Sequence, residues 1–217
     1  MTRVYLIRHA DVENPNRVLY GHLPGFPLSA RGRQQADELG RRLHDRGVRR
    51  IAHSPLERAA ETARIIAAQL EGPVELVPEA ALREAEFSRY LQGVPYWQIP
   101  LRRPLWFAHK ARRGLLPGDE PIRDLGGRIL QVMSRMAEEH PEEASVLVSH
   151  ADPLQAAWVL IEDRLQNERE LYRKPIDRAG MLEVDLEGSR VVEVRYVAPP
   201  KAGSAGAAPG PTAPQPE

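Results

Sequence analysis

Two short apolar runs constrain this chain more than any other feature. Val4-Tyr5-Leu6-Ile7 stops at Arg8-His9, and Val146-Leu147-Val148 stops at Ser149-His150. Runs of this kind read as buried strands. An imidazole at the end of such a strand can act as nucleophile or base near neutral pH, and a guanidinium beside it can hold a phosphate through paired hydrogen bonds. Taken alone, an Arg-His pair reads first as a satisfied surface histidine beside a helix cap.

Between the two runs the pattern alternates. Ser29 is placed to cap a helix with Ala36, Leu39 and Leu43 on one face, ended by Gly47. Arg50 to His53 reads as a strand, and Ser54-Pro55 opens a helix carrying Ala59, Thr62, Ala63, Ile66 and Leu70 on its inner side. Val74 to Val77 is a third strand. Pro121 starts a helix with Ile122, Leu125, Ile129, Val132 and Met136 at helical spacing, and Asp152-Pro153 opens another. Met181 to Leu186 and Arg190 to Val197 form a terminal hairpin. This alternation predicts an α/β fold with a largely parallel sheet, whose ligands collect beyond the carboxyl ends of the strands, where His9 and His150 both lie.

Composition bounds the rest. With 217 residues, 42% hydrophobic and 28% charged, one folded domain is the expectation, spanning residues 1–197. Residues 198–217, rich in proline, alanine and glycine, read as a disordered tail. Thirty basic and thirty acidic residues cancel, so nothing global points to nucleic acid or an anionic membrane as partner. The absence of cysteine removes disulfides and thiolate chemistry. The first apolar run is too short for a signal peptide core or a membrane span, so a cytoplasmic location is expected. Residues 87–118 are the least regular part and hold Arg89, Arg102, Arg103, Lys110, Arg112 and Arg113 with no acidic residue. That run reads either as a lid over an anionic substrate, with Arg102 and Arg103 as substrate-binding candidates, or as a solvated face packed by its aromatics.

Three further signals carry chemistry. Ser54-Pro55-Leu56-Glu57-Arg58-Ala59-Ala60-Glu61-Thr62-Ala63 puts Arg58 in the first turn of a helix. A basic side chain is disfavoured at that positive end unless both it and the helix terminus address an anion. In Leu82-Arg83-Glu84-Ala85-Glu86 either glutamate could supply a proton, and Val146 to His150 brings the second histidine.

In this order the pieces resemble the histidine phosphatase superfamily, also called phosphoglycerate mutase-like, over residues 3 to about 160. The matching motifs are Arg8-His9-Ala10, Ser54 to Ala63, Leu82-Arg83-Glu84, Ser88-Arg89-Tyr90-Leu91-Gln92-Gly93 and Ser149-His150. Gly21 and Leu28-Ser29-Ala30-Arg31-Gly32-Arg33-Gln34-Gln35-Ala36 match a further segment of the family. The resemblance implies a three-layer α/β sandwich with a mostly parallel central sheet flanked by helices and a small irregular lid.

It also implies that His9 is the nucleophile of a phosphohistidine mechanism needing no metal or other cofactor, with Arg8, Arg58 and His150 around the phosphoryl oxygens. Glu84 is implied as the acid, in preference to Glu86, and Asn14 or Asn16 with Gly21 as phosphate contacts. Ala10 stands where the family has glycine, and Asp11-Val12 where it often has Glu-Thr or Glu-Ser. Ser88, Tyr90 and Gln92 replace a glycine, a tryptophan and a glutamate, which leaves substrate choice open.

The reading that follows is a phosphomonoester hydrolase acting on a small phosphorylated metabolite. A phosphoglycerate mutase is the alternative, followed by a non-catalytic phosphate-binding protein of the same fold. A metal-dependent hydrolase using His9, Asp11, His22 and His150 is a further class. Residue patterns leave a homodimer open.

Overall fold

A computed structural model describes residues 1–111, 116 and 118–200, with the side chains of Lys110 and Ala111 left out. Six strands form one sheet in the order β3-β2-β4-β1-β5-β6. They are β1 (Thr2–Arg8), β2 (Val48–His53), β3 (Glu75–Pro78), β4 (Ala144–Ser149), β5 (Met181–Glu187) and β6 (Arg190–Val197). The β3–β2, β2–β4 and β4–β1 pairs are parallel, whereas β1–β5 and β5–β6 are antiparallel. The sheet is thus mostly parallel, with the expected hairpin at one edge.

The strand side chains explain the layers. Within β1, Tyr5 and Ile7 belong to one apolar cluster and Val4 and Leu6 to another. Successive side chains of a strand point to opposite faces, so an unbroken apolar run requires cover on both. Helices α1 (Ala30–Leu43) and α2 (Glu57–Gln69) supply Ala36, Leu39, Leu43, Ala59, Ala63 and Ile66 to the first cluster. On the other face, α6 (Ile122–Glu139) and α7 (Ala151–Ile161) supply Ile129, Val132, Met133, Met136, Leu154 and Trp158. Each such aliphatic side chain contributes roughly 1.5–3 kcal/mol on full burial.

Local signals act as expected, with shifts at the ends. Ser29 caps α1 by accepting from Gly32 N, but α1 stops at Leu43, and Gly47 (φ +70°) instead makes the left-handed turn into β2. Helix α2 starts at Glu57 because Ser54-Pro55-Leu56 forms the turn before it, with Ser54 Oγ accepting from Leu56 N at 3.3 Å. Helix α7 starts at Ala151, ahead of Asp152-Pro153.

The insertion expected to be irregular carries short helices. These are α3 (Ser88–Leu91), a 3-10 turn at Tyr96–Gln98, α4 (Ile99–Arg102) and α5 (Leu105–Ala111). Its apolar side chains Phe87, Leu91, Val94 and Ile99 form a third cluster with Ile122, Leu125 and Val159 at the ends of α6 and α7. Helix α8 (Glu168–Leu171) adds Leu171 to that cluster. Of the expected disordered tail, residues 201–217 lie outside the described residues. No helix among the described residues is long and apolar enough to cross a membrane.

Strand order fixes where the site lies. Strands β1 and β4 are parallel neighbours with Arg8 beside Ser149, yet the chain after β1 runs to α1 on one face and the chain after β4 to α7 on the other. Diverging connections leave a crevice at the carboxyl ends of the two strands. The amide of His9 donates to Ser149 O at 3.0 Å and that of Ser54 to Val148 O at 2.9 Å, so the ends of β1, β4 and β2 lie side by side.

Candidate active site

His9 is buried, 1% exposed, and its Nδ1 lies 2.8 Å from the carbonyl of Ala10. A carbonyl only accepts, so Nδ1 carries the proton and Nε2 keeps its lone pair. Burial holds the ring well below the ordinary histidine range, and the nearby charges of Arg58, Arg8 and Arg178 push the same way. At neutral pH His9 is therefore an uncharged imidazole with one free nitrogen among cations.

Arg58 lies on the first turn of α2 and is 1% exposed. Its Nη2 donates to Gly21 O at 2.9 Å and to His150 Nδ1 at 3.1 Å, and the guanidinium sits 4.7 Å over the Tyr20 ring. A guanidinium only donates, so Nδ1 of His150 is the acceptor. Its Nε2, 2.8 Å from Ser54 Oγ, then carries the proton and donates there. Burial first, and then the charge of Arg58, keeps His150 neutral. The rings of His9 and His150 are 5.2 Å apart. Arg8 donates from Nη1 to Ile176 O at 2.7 Å, and the buried Nε atoms of Arg8 and Arg58 have no partner among the described residues.

Short-range motifs hold this group in place. Thr62 Oγ1 donates to Arg58 O at 2.7 Å and accepts from Ala10 N at 3.1 Å, tying α2 to the residue after His9. The start of α1 grips Asp11, whose amide donates to Gln35 Oε1 at 3.1 Å and whose Oδ2 accepts from Ser29 Oγ at 2.9 Å. At Gly32 an added Cβ would lie 2.0 Å from Asp11 O, so only glycine permits this approach. Ala10 in the place of glycine causes no strain. Its φ is not in the left-handed region, and its methyl is fully buried in the core against α1 and α2.

The two glutamates separate clearly. Leu82 is buried in the core, and its carbonyl accepts from Ser149 Oγ at 2.8 Å, which anchors the turn so that Glu84 lines the central cavity. Glu84 Oε2 lies 3.9 Å from His150 Nδ1. Burial raises the Glu84 carboxyl to about 7, Asp152 adds to the rise, and Arg58 opposes it. Glu86 instead forms an ion pair with Arg89 near the surface, and that contact lowers its pKa. Glu84 can therefore carry a proton near neutrality, and Glu86 cannot.

The cavity, about 170 Å³, is lined on its polar side by Arg8, Gly21, Glu84, Asp152 and Arg178. Gly21 adopts φ +46° and supplies the carbonyl that Arg58 uses. Asn14 does not reach the cavity lining. Its amide group donates to Val18 O and accepts from Val18 N, closing its own loop, and Asn16 is exposed. Arg102 is exposed, and Arg103 donates to Tyr90 O at 2.6 Å, so neither lines the cavity. Arg112 and Arg113 lie outside the described residues. His9, Asp11, His22 and His150 do not assemble as metal ligands, and among the described residues no group of three or more such side chains does. Asp11 is turned to Ser29 and Arg178, and His22 Nε2 lies 3.3 Å from Ala85 O.

Sequence reasoning missed Arg178, Asp152 and Tyr20. Arg178 pairs with Asp11 across 167 residues of chain and lies 3.4 Å from the Tyr20 hydroxyl, a contact no local pattern encodes. The one available signal for Asp152 was its place two residues after His150.

The chain is 34% identical over 207 residues to the uncharacterized protein Rv0525 of Mycobacterium tuberculosis, covering 91% of this chain and 96% of that one. It is 31% identical over 155 residues to the probable phosphoglycerate mutase GpmB of Salmonella paratyphi B, covering 69% and 70%. The solved structure of Bacillus stearothermophilus YhfR superposes with a TM-score of 0.75 at 24% identity, covering 88% of this chain and 94% of that one. Residues 4–198 match the model of the histidine phosphatase superfamily, branch 1, and the chain belongs to that family.

Proposed function

We propose that this protein is a phosphomonoester hydrolase acting on a small phosphorylated metabolite through a phosphohistidine intermediate. One observation carries the reading: Nδ1 of His9 is committed to Ala10 O, which leaves Nε2 unprotonated between Arg8 and Arg58. A nucleophile needs that lone pair, and a phosphoryl group needs those cations.

In the first step His9 Nε2 bonds to phosphorus as the bond to the ester oxygen breaks, and Glu84 gives its proton to the departing alkoxide. The ionised Glu84 then takes a proton from water, whose oxygen bonds to phosphorus as the Nε2–P bond breaks. The products are an alcohol, inorganic phosphate and the starting enzyme, with Glu84 protonated again. Arg8 and Arg58 compensate charge on the equatorial oxygens, each with a buried guanidinium nitrogen that no group among the described residues satisfies. His150 holds Arg58 through Nδ1 and stands beside His9.

A phosphoglycerate mutase, the second reading, draws support from the similarity to Salmonella GpmB. In that case a second hydroxyl, not water, takes the phosphoryl group. A non-catalytic phosphate-binding role fits poorly with a carboxyl held near its protonation midpoint beside a neutral histidine. The test is phosphate release from 4-nitrophenyl phosphate by wild type and His9→Ala after exhaustive chelation, with 2- and 3-phosphoglycerate followed in parallel. Hydrolysis lost in His9→Ala without phosphoglycerate interconversion is the expected result. Undiminished hydrolysis by His9→Ala contradicts the proposal, and interconversion identifies a mutase.

A further inference from the structure

Resting on the phosphatase reading, we infer that the alcohol released is uncharged and carries an apolar ring, and that the wall formed by Tyr96 and Trp106 selects it. The cavity is divided in chemistry. Arg8, Gly21, Glu84, Asp152 and Arg178 stand on the polar side, Leu19, Tyr20, Phe87, Leu91, Tyr96 and Trp106 form the apolar wall, and Ser88 adds one hydroxyl to the lining. Its volume of about 170 Å³ is room enough for one benzene ring, which fits in roughly 150 Å³.

This wall is preformed. Phe87 and Trp106 stack at 5.8 Å and 24°, and Trp106 and His109 at 5.2 Å and 16°. The strip bearing Tyr96 is joined to the loop before Gly21 by three main-chain hydrogen bonds. Leu19 N donates to Val94 O, Gly93 N to Leu19 O and Tyr96 N to Arg17 O. Tyr20, on that loop, also carries the Arg58 guanidinium over its ring, so one residue fixes both the phosphate cation and the start of the apolar wall. A surface ordered before binding loses little entropy when a ring docks on it.

The charges of the described lining residues disfavour a second anionic group. With the phosphoryl group held by Arg8 and Arg58, Arg178 is the other cation among the described lining residues, and Asp11 neutralises it. Asp152 and Glu84 line the same space. A carboxylate on the leaving group would meet Asp152 with no uncompensated cation among the described lining residues, a pairing that disfavours phosphosugar acids.

Leaving groups of similar basicity make the test one of recognition and not of intrinsic reactivity. We compare kcat/KM for 3-phenylpropyl phosphate, glycerol 3-phosphate and 3-phosphoglycerate. The expected preference for the phenylpropyl ester is on the order of 100-fold. Trp106→Ala and Tyr96→Ala each reduce that ratio about tenfold, mainly through KM, and Trp106→Phe restores most of it. Equal or better turnover of either polar ester, or a ratio unchanged in both alanine variants, overturns the assignment of substrate class and leaves the phosphatase reading standing. Failure of the wild type to hydrolyse any of the three esters, or equal turnover by His9→Ala, overturns the phosphatase reading and this inference with it.

Discussion

Glu84 lowers the stability of the fold in which it works, and Glu84→Gln exposes that cost through its pH dependence. Burial raises this carboxyl from 4.5 to about 7, with Asp152 adding to the rise. Below the lower value both folded and unfolded chains are protonated, and Glu84 contributes nothing to the pH dependence. As pH climbs, the unfolded chain releases its proton first, so stability falls until the folded carboxyl also ionises near neutrality, and it is level beyond. At about 1.4 kcal/mol per pH unit the full loss is about 3 kcal/mol.

Glutamine is neutral in both states, and its Oε1 keeps the acceptor that Glu84 offers Ala85 N at 3.0 Å. The variant therefore matches wild type near pH 4 and exceeds it by up to about 3 kcal/mol near pH 8, while losing proton transfer. Urea unfolding followed by circular dichroism at the two pH values measures the difference. A stability gap that is the same at both would refute the claim that a buried, late-ionising carboxyl sits at this position.

The same carboxyl must enter the reaction protonated, so kcat/KM for alkyl phosphates falls as pH rises through about 7. Asp152→Asn removes a charge that raises this pKa and moves the alkaline limb to lower pH. An unmoved limb assigns the titration elsewhere. Arg58→Ala lowers kcat on the order of 100- to 1,000-fold. Because Arg58 is a major charge keeping His150 neutral, the same variant raises the His150 pKa, read by ring-proton NMR titration. Gly32→Ala puts a methyl carbon 2.0 Å from Asp11 O and costs about 1–3 kcal/mol. Gly127→Ala, with open space around its Cβ, gains up to about 1 kcal/mol. Thermal unfolding of the two variants contrasts a required glycine with a dispensable one.

The fold was legible because its signals are local. Apolar runs that need cover on both faces, a serine at Ser29 and prolines near helix starts identify strands and helices without any knowledge of their neighbours. The core of the site was legible for a related reason. His9 and His150 end neighbouring strands, and Arg58 follows the turn after a third, so topology alone gathers them.

What sequence could not provide is direction. Asn14 resembles a phosphate contact by position, yet its amide group satisfies Val18 four residues away, as short polar side chains in loops commonly do. The basic run at Arg102 and Arg103 suggested an anion site, but Arg103 packs on Tyr90, with its guanidinium 5.4 Å from that ring, and Arg102 faces outward. The Arg178–Asp11 pair joins distant parts of the chain and is visible only once β1 and β5 are neighbours. Ala10, which stands where the family has glycine, is placed by the fold in the core cluster that β1 shares with α1 and α2, a location its position in the motif does not reveal.

The central claim is that His9 Nε2 accepts the phosphoryl group. A single turnover of a phosphorus-labelled aryl phosphate, quenched in alkali, where phosphohistidine survives, tests it directly. The predicted result is one labelled peptide containing His9, with the phosphoryl group on Nε2, labile to acid and absent from His9→Ala. Label on another residue, or hydrolysis by His9→Ala at the wild-type rate, would contradict it.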